Sequence, residues 1–127
     1  MAQALTLTFM SGARDGEIVQ VEASGSPPSV SIGRSAPCEL VISEDPDLSR
    51  RHARIFGSGA SWMLEDLNSS NGTFIGEFQI ERKLSVATAI KDGEIFRVGL
   101  TRLRLGGAKN ERIAIAGAAA VAKNNRF

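Results

Sequence analysis

The chain has 127 residues, 43% hydrophobic and 23% charged, enough to bury one core and too apolar for wholesale disorder. With 15 Lys and Arg against 14 Asp and Glu the formal charge is +1, so no global field draws it to nucleic acid or an anionic membrane. The single cysteine, Cys38, excludes an intrachain disulfide and fits a reducing compartment.

In chain order, Met1-Ala2-Gln3-Ala4 carries no cationic residue and precedes alternation rather than an apolar block, so no secretory leader is read. Leu5-Thr6-Leu7-Thr8-Phe9 alternates as a half-buried strand does. Residues 11–16 read as a hairpin loop and 17–21 as the partner strand. The Gly/Ser/Pro cluster at 24–28 breaks that strand, and 29–32 begins the next with Val30 and Ile32 on one face. A strand over 38–42 follows Pro37, and Cys38 reads there as a small core residue. Residues 51–56, 61–67, 73–75, 94–98 and 101–105 read as further strands, the last with Arg102 and Arg104 on its wet face. No stretch before residue 108 keeps a helical period. The reading is all-β, an antiparallel sandwich over 1–106.

The tail, 107–127, differs. Its alanine-rich stretch favours helix, with Gly117 weakening it, and in helix would reach only about 15 Å, half a bilayer core. A packed helix, a linker and a self-association segment stay open, and a partly ordered appendage is favoured. No Ser or Thr follows Thr101, so a switch built on phosphorylation of this tail is not expected.

Three clusters lie where strand patterns give way to turns: Gly33-Arg34, Ser49-Arg50-Arg51-His52 and Ser70-Asn71-Gly72-Thr73. They supply guanidinium, hydroxyl and amide donors, a set suited to a phosphate dianion with three acceptor oxygens. Arginine suits it better than lysine, because its fork can contact two phosphate oxygens at once. Each residue also has a bland reading. Arg34 alone could pair with Glu44, Asp45 or Asp47, and Asn71-Gly72 alone is a common turn. His52 is the only histidine, so it lacks partners for a metal site and reads as a loop-bonding residue. Ser49 near His52 makes no hydrolase: there is no second histidine and no Gly-x-Ser-x-Gly elbow. Trp62 reads as core, and a chain with no tyrosine offers little aromatic surface to nucleic acid.

In order and spacing these clusters resemble the forkhead-associated (FHA) domain family, whose pattern is Gly-Arg, then Ser-x-x-His, then Asn-Gly-Thr. The run Leu64-Glu65-Asp66-Leu67-Asn68-Ser69-Ser70 and the later Asp92-Gly93-Glu94-Ile95-Phe96-Arg97-Val98-Gly99 resemble the flanking family signatures. The resemblance spans about residues 5–106 and implies an eleven-strand sandwich that binds phosphothreonine peptides in its apical loops. It implies that Arg34 and Ser49 hold the phosphate, that Arg50 reaches phosphate or peptide, that Ser70 supports the pocket, and that Asn71 bonds the peptide main chain. Gly33, His52, Gly72 and Thr73 are implied to be architectural. Two departures stand out. Thr73-Phe74-Ile75 leads into Gly76-Glu77, where many members carry a second Asn-Gly. The acidic group Glu44, Asp45 and Asp47 precedes Ser49, which is expected to disfavour acidic residues downstream of the phosphothreonine.

The function expected is a non-catalytic adaptor, cytoplasmic and without cofactor or metal, that docks a partner after a Ser/Thr kinase has acted on it. No nucleic acid and no membrane span enters that reading. One rival is a phosphate-independent structural or dimerisation module; a second is an anion-binding enzyme domain, for which only His52 could serve as a base.

Overall fold

The alternation read along the chain becomes two packed sheets in a computed structural model that describes residues 3–77 and 79–106. The strands are β1 (Gln3–Phe9), β2 (Ile18–Ala23), β3 (Ser29–Gly33), β4 (Leu40–Val41), β5 (Ala53–Ser58), β6 (Ser61–Asp66), β7 (Thr73–Ile75), β8 (Arg82–Lys83), β9 (Thr88–Ile90), β10 (Ile95–Val98) and β11 (Thr101–Leu105). One sheet has the order β2-β1-β11-β10-β7-β8, the other β4-β3-β5-β6-β9. The predicted tail, 107–127, lies outside the described residues. Among those described there is no helix, hence none long and apolar enough to cross a membrane.

Period-two patterning drives the packing. In β11, Thr101, Leu103 and Leu105 are buried while Arg102 and Arg104 stay partly exposed on the other face. Leu5, Leu7 and Phe9 of β1 meet Val30 and Ile32 of β3, Ile55 of β5, Leu64 of β6, and Phe96 and Val98 of β10 in one core. Trp62 packs against that core as a half-buried side chain.

The sandwich predicted from the sequence is present, with three differences of detail. β8 and β9 are additional strands, both short and at sheet edges, where pairing rather than side-chain pattern defines them. β3 and β4 run parallel, Ile32 opposite Leu40 and Gly33 opposite Val41, in an otherwise antiparallel sandwich. The predicted 38–42 strand shrinks to Leu40–Val41, and Cys38 sits just outside it. Cys38 is buried, though beneath a loop rather than in the central core, and its Sγ donates to the Arg50 carbonyl at 3.2 Å.

One end of the sandwich gathers the loops that matter. The β1–β2 hairpin reaches the start of β11 there, Met10 N donating to the Arg102 carbonyl at 2.8 Å. Val98, before the β10–β11 turn, pairs with Thr73 at the start of β7. On the other sheet β3 ends at Gly33 and β5 begins at Ala53, with Ile32 opposite Ala53. The loop of residues 43–52 closes this end and bonds to both sheets.

Candidate functional site

Asp47-Leu48-Ser49, within that closing loop, is a strip that includes Ser49 of the second sequence cluster and to which the first and third clusters attach. Arg34 N donates to the Ser49 carbonyl at 3.0 Å, and Arg34 Nε donates to the Leu48 carbonyl at 3.0 Å. From the β6–β7 loop, Ser70 N donates to Ser49 Oγ at 3.0 Å and Asn71 Nδ2 donates to the Asp47 carbonyl at 2.8 Å. Side chains 34, 49 and 71, far apart along the chain, are thereby held at one rim. Arg34, Ser70 and Asn71 are exposed and Ser49 is half-buried.

Several donor positions on this rim remain open. Among the described residues neither terminal nitrogen of Arg34 has a protein partner, and Arg34 forms no ion pair with Glu44, Asp45 or Asp47. Ser49 Oγ accepts from Ser70, which leaves its own hydroxyl hydrogen available. Asn71 keeps its second amide hydrogen and its carbonyl oxygen. Arg50 and Arg51 are exposed, with no side-chain hydrogen bond to the strip. Arg50 enters the framework through its backbone, whose carbonyl faces Cys38 and Gly33.

His52 is fully buried beneath the rim. Ser49 N–H donates to His52 Nδ1 at 3.0 Å, which places the ring proton on Nε2, and Nε2 donates to the Gly72 carbonyl at 2.7 Å. One imidazole thus spans two loops. Gly72 adopts φ +86, where a side chain would be strained. Thr73 is buried, and its Oγ1 donates to Asp66 Oδ1 at 2.7 Å.

Asp66 organises the β6–β7 loop, a role the sequence reading did not assign. Its carboxylate accepts from Ser69 Oγ at 2.5 Å, Ser69 N at 3.0 Å and Thr73 Oγ1, while Gly72 N donates to Ser69 Oγ at 2.9 Å. Burial opposes its ionisation, but the bonds from Ser69 and Thr73 outweigh that and hold its carboxyl below the ordinary value of 3.8. A folded-state value below the unfolded one gives stability that is complete above 3.8 and is lost as pH falls through the lower folded value. Urea unfolding measured from pH 7 down to pH 2 should therefore show an acid-side slope that Asp66→Asn reduces. An unchanged slope in the variant would contradict this.

The acidic group read from the sequence is dispersed. Asp45 is 4% exposed and turned inward, accepting from Asp47 N at 3.0 Å, Leu100 N at 2.9 Å and Thr101 Oγ1 at 2.7 Å. It locks the closing loop to the β10–β11 turn. Gly99 permits this approach, because a Cβ there would lie 2.8 Å from Asp45 Oδ2. Glu44 lies 3.7 Å from Arg14 Nη1. Asp47 alone of the three is exposed without an ion pair among the described residues. The missing second Asn-Gly is replaced by a turn in which Gly76, at φ +115, donates from N to the Ile95 carbonyl at 2.8 Å.

Comparison with known proteins agrees with this architecture. The family model described as the FHA domain matches residues 30–99. FhaB of Mycobacterium tuberculosis, an FHA domain-containing protein, is 33% identical over 91 residues, covering 72% of this chain and 56% of FhaB. An FHA domain-containing protein of Arabidopsis thaliana is 27% identical over 95 residues, 75% of this chain and 23% of that protein. The chain thus spans less than two thirds of either relative. Among solved structures, one from a study of phosphothreonine-dependent FHA domain interactions superposes with a TM-score of 0.64 at 27% identity, covering 83% of this chain and 97% of that one. The FhaA FHA domain, solved in complex with the intracellular domain of Rv3910, gives 0.60 at 28% identity, covering 80% and 98%. With the family model matching more than half the chain and the same sandwich in its neighbours, the chain belongs to the forkhead-associated (FHA) domain family.

Proposed function

We propose that this domain binds phosphothreonine-bearing segments of a partner protein, as a non-catalytic cytoplasmic adaptor acting after a Ser/Thr kinase. One observation carries the reading: donors from two distant segments, Arg34 and Ser70-Asn71, attach to the Asp47-Leu48-Ser49 strip, while among the described residues both terminal nitrogens of the Arg34 fork are unengaged. A dianion is the ligand that best occupies such a fork beside a free hydroxyl. The similar solved FHA domain described by its phosphothreonine-dependent interactions supports the same assignment. In this reading Arg34 and Ser49 hold the phosphate and Arg50 swings in as a second cation. Ser70 fixes the Ser49 hydroxyl by its backbone bond, and Asn71 holds the ligand main chain. Gly33, His52, Gly72 and Thr73 keep the loops in place. No cofactor, metal or nucleic acid takes part.

A few charge-assisted hydrogen bonds on a small surface correspond to affinity near the micromolar range, about −8 kcal/mol. The test is a degenerate phosphothreonine library, followed by calorimetric titration of a selected peptide and of its phosphoserine and unphosphorylated forms. Tight binding of the phosphothreonine form, weakened by salt and absent without phosphate, is the expected result. Binding that survives dephosphorylation would instead favour a phosphate-independent structural or dimerisation module. Turnover removed by His52→Ala would favour an enzyme domain. With Asp45 inward and Glu44 near Arg14, the expected discrimination against downstream acidic residues falls to Asp47 alone.

A further inference from the structure

Lys83 lies outside the three sequence clusters, yet it reaches the same rim. On β8 it pairs with Phe74 of β7, so the two side chains share the outer face of their sheet. The chain then runs along that face toward Gly72: a Cβ built on Gly72 would lie 2.7 Å from Lys83 Cε and 3.5 Å from Lys83 Cδ. A glycine at position 72 gives the lysine stem a track, and its ammonium is carried past Gly72.

Among the described residues no carboxylate neutralises that ammonium. Glu81, two residues earlier, is engaged by Arg97 at 2.7 Å and Arg102 at 3.3 Å. Asp66 is occupied by Ser69 and Thr73. Among the described residues Lys83 forms no ion pair, and it is exposed. The rim therefore carries a cation next to Gly72, the residue that follows Asn71.

We propose that Lys83 is a specificity-determining residue, selecting ligands with an acidic group, a carboxylate or a second phosphate, next to the segment held by Asn71. The proposal deepens the phosphothreonine reading and rests on it. Lys83 adds selectivity rather than the bulk of affinity, because an exposed ion pair is worth at most about fivefold in binding. A phosphate group, with nearly twice the charge of a carboxylate, should gain more.

The experiment uses the full chain and a phosphothreonine peptide with alanine at all flanking positions. Asp, Lys or phosphoserine is placed in turn at each of the three residues on either side of the phosphothreonine. Wild type should favour Asp over Ala by about threefold to fivefold at one flanking position, and phosphoserine more strongly. Lys83→Met should level that preference, and Lys83→Glu should reverse it toward Lys. Affinity for the alanine-flanked peptide should stay within about twofold, and thermal unfolding should be unchanged, because the side chain is exposed. An Asp preference that persists in Lys83→Met, or the absence of any charge preference in wild type, would overturn the proposal alone. Failure of wild type to bind even the alanine-flanked peptide would overturn the phosphothreonine reading with it, so the two failures are distinct.

Discussion

Arg34→Ala is expected to reduce phosphothreonine-peptide affinity at least about a hundredfold, taking a micromolar complex beyond ordinary detection. The estimate follows from two charge-assisted hydrogen bonds at about 1.5–3 kcal/mol each. Stability should change little. The side chain is exposed, and among the described residues the one bond removed runs from Nε to the Leu48 carbonyl, worth about 1 kcal/mol. Arg34→Lys separates charge from shape. It keeps the cation but not the planar fork, so about tenfold of affinity should be lost and the salt dependence retained. Calorimetric titration alongside thermal unfolding checks both variants. An Arg34→Ala protein that folds and binds as tightly as wild type would show that the phosphate sits elsewhere.

Gly33→Ala should damage fold and binding together. Gly33 sits at the β3 terminus, where a Cβ would lie 1.9 Å from the Arg50 carbonyl oxygen and 2.7 Å from Cys38 Sγ. The nearest obstacle is backbone, so no rotamer change relieves it. The 49–51 segment must move, and with it the Ser49 carbonyl that receives Arg34 N and the Ser49 hydroxyl that receives Ser70 N. A cost of about 3 kcal/mol is expected from such overpacking. Urea denaturation should show it, and peptide affinity should fall in the fraction that remains folded. Adding Cys38→Ala should restore little, because it clears only the sulfur. Stability within about 0.5 kcal/mol of wild type would mean that the loop has more room than this geometry allows.

Much of this molecule was legible from its residues, for identifiable reasons. Alternation such as Leu5-Thr6-Leu7-Thr8-Phe9 exposes a strand directly, because one buried face forces a period of two. The spaced motifs led to the family because their order survives in the linear chain. β8 was not legible: Arg82 and Lys83 are both exposed, so no burial imposes a pattern on them. In β9 only Ile90 is buried, and one apolar residue sets no period. The parallel β3–β4 pair depends on a short connection that no alternation reports.

At the rim, residue identity was easier to read than residue partnership. Asp45 between Glu44 and Pro46 resembles any surface acid, and only its distant neighbours Gly99, Leu100 and Thr101 turn it inward. Asp66 was visible as part of a motif flank, but its partners Ser69 and Thr73 acquire meaning only when the loop closes. Lys83 reaches the site through a cross-strand register that no local pattern encodes.

The most direct test is an amide NMR titration of the full chain with a phosphothreonine peptide and its unphosphorylated twin. The phosphorylated peptide should shift the backbone signals of Arg34, Ser49, Arg50, Ser70 and Asn71 together, along one saturable curve, with the twin leaving them unmoved. Saturable shifts confined to another face of the sandwich, or equal shifts from both peptides, would contradict a phosphate held where these loops converge.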